Sequence, residues 1–126
     1  MPLPPPVTGA AGAGGIFSAM FAPAITVEEL KGKRDRGEAV TLVDVREPHE
    51  VAICAFPDSV RIPLGTLPEN LNRLSTADEI VVHCKSGARS ARAVQLLRQA
   101  GFRKVRNLSG GINRWAEVVD PTMPRY

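Results

Sequence analysis

The sequence sets a thiol in Cys84-Lys85-Ser86-Gly87-Ala88-Arg89-Ser90, between an apolar run and an amphipathic one. A cysteine at a strand end, followed by a short loop into a helix N-terminus, is surrounded by backbone N–H groups that form a nest for an anion. Gly87 lets the loop take backbone angles that a side chain would forbid. Lys85, Arg89 and Arg92 add cationic charge. Amides, helix dipole and cations all favour thiolate, the nucleophilic form of cysteine. Ser90 is the expected N-cap of the following helix, since its hydroxyl can accept from a first-turn amide. Cys84 is therefore read as a nucleophile, with residues 85–90 holding the anion that its sulfur attacks or carries. A small buried hydrophobe is the commoner use of a single cysteine. Thiol, glycine and arginine together on one strand-to-helix loop are what favour chemistry here.

That loop needs a scaffold, and from Ala24 onward strand and helix signals alternate. Thr26 with Glu29 three residues on is a capping-box signature, opening a short helix over 26–38. Residues 39–46 form a β-branched apolar run of strand length, expected to be buried on both faces. Residues 48–55 read as a short helix with proline in its first turn, 59–63 as a second strand and 67–74 as another short helix. A third strand over 79–84 leads through the cysteine loop into a helix over 90–100. A fourth strand and glycine turn span 104–111, and a last helix spans 112–119, its Ile112, Trp115 and Val119 spaced to face a core. Gly110-Gly111 fits a plain strand-to-helix turn better than a phosphate cradle, and His49 reads as a surface residue. The prolines of 120–126 predict an irregular tail.

This alternation predicts an α/β fold: a mostly parallel β-sheet flanked by helices on both faces. Ligand sites in such folds lie outside the carboxyl ends of the strands. Cys84 and the Asp44–Arg46 pair both fall there.

The remaining features narrow the class. The chain has 126 residues, enough for one domain, with 44% hydrophobic and 23% charged residues. The net charge of +3 is spread along the sequence, which argues against nucleic-acid binding. No apolar run approaches membrane-spanning length. Two cysteines, Cys54 and Cys84, make neither a disulfide framework nor a four-ligand zinc site, and no secretion signal accompanies them. Free thiols, a cytoplasmic setting and no metal or cofactor are expected. Residues 1–23 differ from the rest: Pro, Gly and Ala dominate and no side chain is charged. They read as linker or leader, the joint to a larger protein, with residues 24–126 as the folded domain.

Four motifs carry a family resemblance: "LVDVREPHE" (42–50), "HCKSGARSA" (83–91), "LLRQAGF" (96–102) and "LSGGINRW" (108–115). From about Ile25 onward the chain resembles the rhodanese-like sulfurtransferase domain. The resemblance implies that Cys84 carries a persulfide and that residues 85–89 supply an amide cradle. It also implies that Arg89 orients thiosulfate or another anionic donor, and that Asp44 and Arg46 support the loop from beneath. The ending Trp115…Asp120-Pro121…Met123-Pro124…Tyr126 is similar to rhodanese domains fused behind an E1-like adenylyltransferase, the MoeZ type. That likeness implies a ubiquitin-like sulfur carrier protein as partner, an adenylyltransferase domain joined through the linker, and a cysteine desulfurase as a second kind of donor.

One stretch departs from the family. Residues 54–60, "CAFPDSV", replace a Gly-His-Ile-Pro-Gly-Ala run, so Cys54 stands at a glycine position, Ala55 at the histidine and Asp58 at the second glycine. Cys54 reads as a buried residue, with a resolving role toward Cys84 as the alternative. A cysteine-based phosphatase or arsenate reductase would use a similar loop. Here four residues separate Cys84 from Arg89, one fewer than such a phosphatase places there, and none is an acid for a leaving alcohol. A redox-sensing or non-catalytic module of the same fold is the remaining alternative.

Overall fold

A computed structural model describes residues 22–126; the expected leader falls outside them, apart from Ala22 and Pro23. Five strands form one sheet: β1 (Ala24–Ile25), β2 (Thr41–Asp44), β3 (Val60–Arg61), β4 (Ile80–His83) and β5 (Val105–Leu108). Their order is β1-β5-β4-β2-β3, and every pairing is parallel. The helices are α1 (Val27–Asp35), α2 (Pro48–Val51), α3 (Ala88–Gln99) and α4 (Gly111–Val118), with a 3-10 stretch over Leu64–Arg73.

Alternation along the strands builds two cores. Val43, Ile80, Val82 and Val105 point to one face, where they meet Ala93, Val94 and Leu97 of α3 and Leu67 of the 3-10 stretch. Leu42, Val81 and Leu108 point to the other, against Val27 and Leu30 of α1 and Ile112 and Trp115 of α4. The sheet is thus buried on both faces, as its β-branched strands require.

Caps set the helix boundaries. Thr26 accepts from the Glu29 amide at 3.0 Å, and Glu29 accepts from the Thr26 amide at 2.9 Å. α1 stops at Gly37 (φ +73°): the Gly37 amide bonds to the Arg34 carbonyl and the Glu38 amide to Lys33, a Schellman ending. Gly101 and Phe102 end α3 in the same way on Arg98 and Leu97.

The structure corrects the sequence reading at three places. The sheet has a fifth strand: β1 pairs Ile25 with Leu108, but two residues between Pro23 and a helix cap carry no periodicity. The helix expected over 67–74 is a 3-10 stretch starting at Leu64 and kinked at Asn70. The N-cap of α3 is Gly87, not Ser90: at φ +118° Gly87 turns the chain, so the helix starts two residues early and Ser90 sits inside its first turn.

Register brings the future site together. Asp44 at the end of β2 lies opposite His83 at the end of β4. The Val45 amide continues the ladder onto the His83 carbonyl at 3.1 Å. The segments after both strands therefore leave the sheet side by side.

Candidate active site

Cys84 follows the last residue of β4 and is 1% exposed. Its Sγ accepts from the Gly87 amide at 3.1 Å and lies 3.3 Å from the Ser90 hydroxyl. Burial alone pushes the thiol pKa up. The Ser90 hydroxyl and the amides of Ser90, Gly87 and Ser86 outweigh that and hold it below the usual thiol value.

The loop is fixed from behind. The Ile112 amide bonds to the Cys84 carbonyl at 3.0 Å and the Asn113 amide to the Lys85 carbonyl at 3.1 Å. The N-terminus of α4 thus takes up the loop's carbonyls, leaving its amides turned toward the sulfur. This docking explains the glycine pair: Gly110 and Gly111 both have positive φ, and a Cβ at Gly111 would stand 2.3 Å from the Lys85 carbonyl oxygen. They form a turn pressed against the loop.

Beside the cradle runs a line of charges. Arg46, 1% exposed, satisfies all its N–H groups: Nε and Nη2 on Asp44 at 3.0 and 2.8 Å, Nη2 also on the Cys54 carbonyl at 2.8 Å, and Nη1 on the Glu50 carbonyl and the Tyr126 hydroxyl. Burial opposes both charges of the Asp44–Arg46 pair, yet their mutual bonds keep the Asp44 carboxyl below its usual range and Arg46 firmly protonated. Tyr126 donates its hydroxyl to Glu50 at 2.8 Å. Glu50 in turn takes Arg89 in a two-pronged ion pair at 2.7 and 2.8 Å and accepts from the Glu47 amide at 3.0 Å. Arg89 above all holds the Glu50 carboxyl far below its ordinary range. Lys85 places its ammonium 4.8 Å from the centre of the Tyr126 ring.

The expected residues are therefore partly gathered. Cys84, Gly87 and Ser90 surround the sulfur, with the Ser86 amide also turned toward it. Ser86 and Ala88 have exposed side chains, and Arg92 is exposed on α3. Arg89 faces Cys84 closely enough to feel its charge, but its fork is occupied by Glu50. Cys54 packs in the α1/α4 core and Cys84 in the α3 core, on opposite faces of the sheet. His83, fully buried, packs edge-on to Phe56; burial lowers its pKa to about 4 and its Nε2 has no hydrogen-bond partner. Among the described residues no group of three His, Cys, Asp or Glu could hold a metal ion, and no helix is long and apolar enough to cross a membrane.

Glu50, Asn107 and Tyr126 were not singled out in the sequence as site residues. Glu50 and Tyr126 do close the "LVDVREPHE" and Trp115–Tyr126 motifs. Asn107, mid-strand in "RNLSGG", gives no such signal.

The residues in this geometry match a known family model: a rhodanese-like domain aligns with residues 26–118. The chain belongs to the rhodanese-like family. It is 38% identical over 92 residues to a protein named sulfurtransferase from Allochromatium vinosum, covering 73% of this chain and 86% of that protein. It is 39% identical over 109 residues to adenylyltransferase and sulfurtransferase MOCS3-2 from Zea mays, covering 81% of this chain. The match spans only 23% of the maize protein's length. Among solved structures, SSP1007 from Staphylococcus saprophyticus superposes with a TM-score of 0.71 at 36% identity, covering 77% of this chain and 96% of that one. The superposition agrees with the α/β fold described above.

Proposed function

We propose that this protein is a sulfurtransferase that carries sulfur as a persulfide on Cys84. The observation that carries this reading is the sulfur itself: buried, activated below the ordinary thiol pKa, and surrounded by amide donors. In the first step the Cys84 thiolate attacks the outer sulfur of thiosulfate. The S–S bond of the donor breaks, sulfite leaves with the electron pair, and Cys84 keeps a persulfide whose terminal sulfur bears the negative charge. A cysteine desulfurase persulfide serves as donor by the same displacement, leaving as a thiolate. In the second step cyanide takes the terminal sulfur as thiocyanate and returns Cys84 thiolate. The loop amides of residues 85–89 stabilise the terminal sulfur, with Lys85 and Arg89 at the rim favouring anionic partners. No cofactor enters either step.

The likeness to a protein named adenylyltransferase and sulfurtransferase supports a finer reading. The biological acceptor is the adenylated C-terminus of a ubiquitin-like sulfur carrier protein. The persulfide attacks that carbonyl and expels AMP; an external thiol then attacks Cys84 Sγ, releasing the thiocarboxylate and leaving a mixed disulfide that a second thiol reduces to return Cys84 thiolate. Residues 1–23 are the linker toward an adenylyltransferase domain, residues 24–126 are the sulfur-transferring domain, and the setting is cytoplasmic.

Two features weigh against the rivals. The acid nearest the loop, Glu50, is locked as carboxylate by Arg89, so it has no proton for a phosphatase leaving group. A Cys54–Cys84 disulfide would have to join cores on opposite faces of the sheet.

Intact mass after incubation with thiosulfate, and then with cyanide, tests the proposal. Wild type gains one sulfur and loses it as thiocyanate, while Cys84→Ser gains none. No gain from either thiosulfate or a loaded desulfurase would overturn it.

A further inference from the structure

Ser90 has one hydroxyl proton and three acceptors in reach: Asn107 Oδ1 at 2.6 Å, the Gly87 carbonyl at 3.2 Å and Cys84 Sγ at 3.3 Å. Which acceptor receives it is settled by the Asn107 amide. Its Nδ2 donates to the Gly87 carbonyl at 3.2 Å. A flipped amide would set its oxygen against that carbonyl, two acceptors with no proton between them. The amide oxygen therefore faces Ser90. Two oxygens so close need a proton between them, and only Ser90 supplies one.

We propose that Asn107 is a positioning residue for the nucleophile: it holds the Ser90 proton while Cys84 is uncharged and yields it to Sγ when negative charge develops there. The neutral thiol then donates S–H to the Ser90 oxygen. On deprotonation the hydroxyl turns about its Cβ–Oγ bond and points at the sulfur, and the Ser90 and Asn107 oxygens, no longer sharing a proton, draw apart. When a second sulfur is added the negative charge leaves Sγ for the terminal atom, and the proton returns to Asn107. This last step rests on the persulfide reading given above; the hydroxyl switch itself does not.

Other ionisable groups lie near this loop. Lys85 and Arg89 lie on the loop itself, Glu50 of α2 is paired with Arg89, Tyr126 of the tail bonds Glu50 and sits under Lys85, and His83 ends β4 with its Nδ1 beside the Cys84 carbonyl. None is bonded to Asn107, whose partners are Ser90, Gly87 and Pro23.

The test is the thiolate absorbance of Cys84 followed against pH, in a Cys54→Ala background. Asn107→Ala frees the hydroxyl for the sulfur, so the midpoint should fall by roughly half to one pH unit. Ser90→Ala should raise it by a similar amount, and the double variant should match Ser90→Ala. A purely structural role for Asn107 predicts the opposite for the single variant, because loosening Gly87 would weaken the amide cradle and raise the midpoint. An unchanged or raised midpoint in folded Asn107→Ala overturns the proposal. If that variant does not fold, the wild-type protein still decides. The Asn107 side-chain amide resonances should titrate with the Cys84 midpoint and lose that response in Ser90→Ala, and their failure to titrate overturns the proposal. A titration needs only a thiol, so its outcome is separate from any failure to load sulfur.

Discussion

Two structures meet at the carboxyl edge of the sheet, and they hold charge by different means. Around Cys84 the donors are neutral: backbone amides and one hydroxyl. Alongside, Asp44, Arg46, Glu50, Arg89 and Tyr126 form a line in which two cation–carboxylate pairs are joined through the Tyr126 hydroxyl. The cradle is built to accept a charge that comes and goes; the line has no charge left to give. Sequence alone suggested that Lys85 and Arg89 would bind the anion. In the fold Arg89 is already paired with Glu50, which on the proposed reading leaves more of that task to the amide donors. Substitutions in the line should therefore cost stability, and substitutions in the cradle should cost sulfur transfer.

The largest stability effect is expected at the buried end of the line. Arg46→Met strands the Asp44 carboxylate, whose side chain is 0% exposed, without its partner. Leaving a buried charge uncompensated costs about 3–5 kcal/mol, read as a large fall in thermal midpoint. The fraction that remains folded should still load sulfur. Loss of loading in proportion greater than loss of fold would show that the line and the cradle are one unit.

Gly111→Ala is the converse. Its Cβ would meet the Lys85 carbonyl at 2.3 Å, on a backbone with φ +64°. Either the turn or the loop must shift, costing about 2–3 kcal/mol. Where the loop shifts, the amides lose their aim at the sulfur. Sulfur loading should fall by about 100-fold, as for loss of an oxyanion donor. Near-normal loading would mean that the amides of residues 85–89 are not what stabilises the terminal sulfur.

Glu50 stands between the two structures, and its pH dependence separates them. Glu50 titrates in the folded protein well below its ordinary 4.5, so on acidification the unfolded chain takes up the proton first. Its contribution to stability is complete above about 4.5 and is lost as pH falls from there toward the folded value. Glu50→Gln should remove that loss, flattening the acid limb of a thermal-midpoint titration. At neutral pH it should cost about 1–2 kcal/mol, moderated by solvent at Arg89, whose side chain is 35% exposed. An acid limb unchanged in the variant would assign the acid loss to Asp44, whose carboxyl is likewise held low, or to His83. That residue, lowered to about 4, resists the proton which the unfolded chain accepts from about 6.5 downward.

The comparison also explains what could be read in advance. The cradle is local: cysteine, glycine and serine lie within seven residues, so chemistry and loop were legible together. The parallel sheet was legible too, because buried β-branched strands such as Ile80–His83 leave a periodic trace. The line is assembled from β2, α2, α3 and the tail, with the Arg46–Tyr126 contact spanning 80 positions. No spacing rule reports such a contact. Ser90 reads as a cap in sequence because serine favours that role. Gly87 took it instead, since only a left-handed residue turns the strand end into the helix, and Ser90 was freed to face the sulfur.

Tyr126 sets the smallest and sharpest test. Its hydroxyl accepts from Arg46 at 3.0 Å and donates to Glu50 at 2.8 Å, the link between the buried pair and the exposed one. Tyr126→Phe keeps the ring under Lys85 and deletes only the bridge. Arg46 Nη1 retains the Glu50 carbonyl, and Glu50 keeps Arg89, so the loss should be about 1 kcal/mol. Thiosulfate loading should change less than twofold, because the bridge touches no atom of the cradle. If loading falls tenfold while the thermal midpoint hardly moves, the hydroxyl acts on the sulfur through Glu50 and Arg89. The line of charges would then be part of the catalytic apparatus rather than its support.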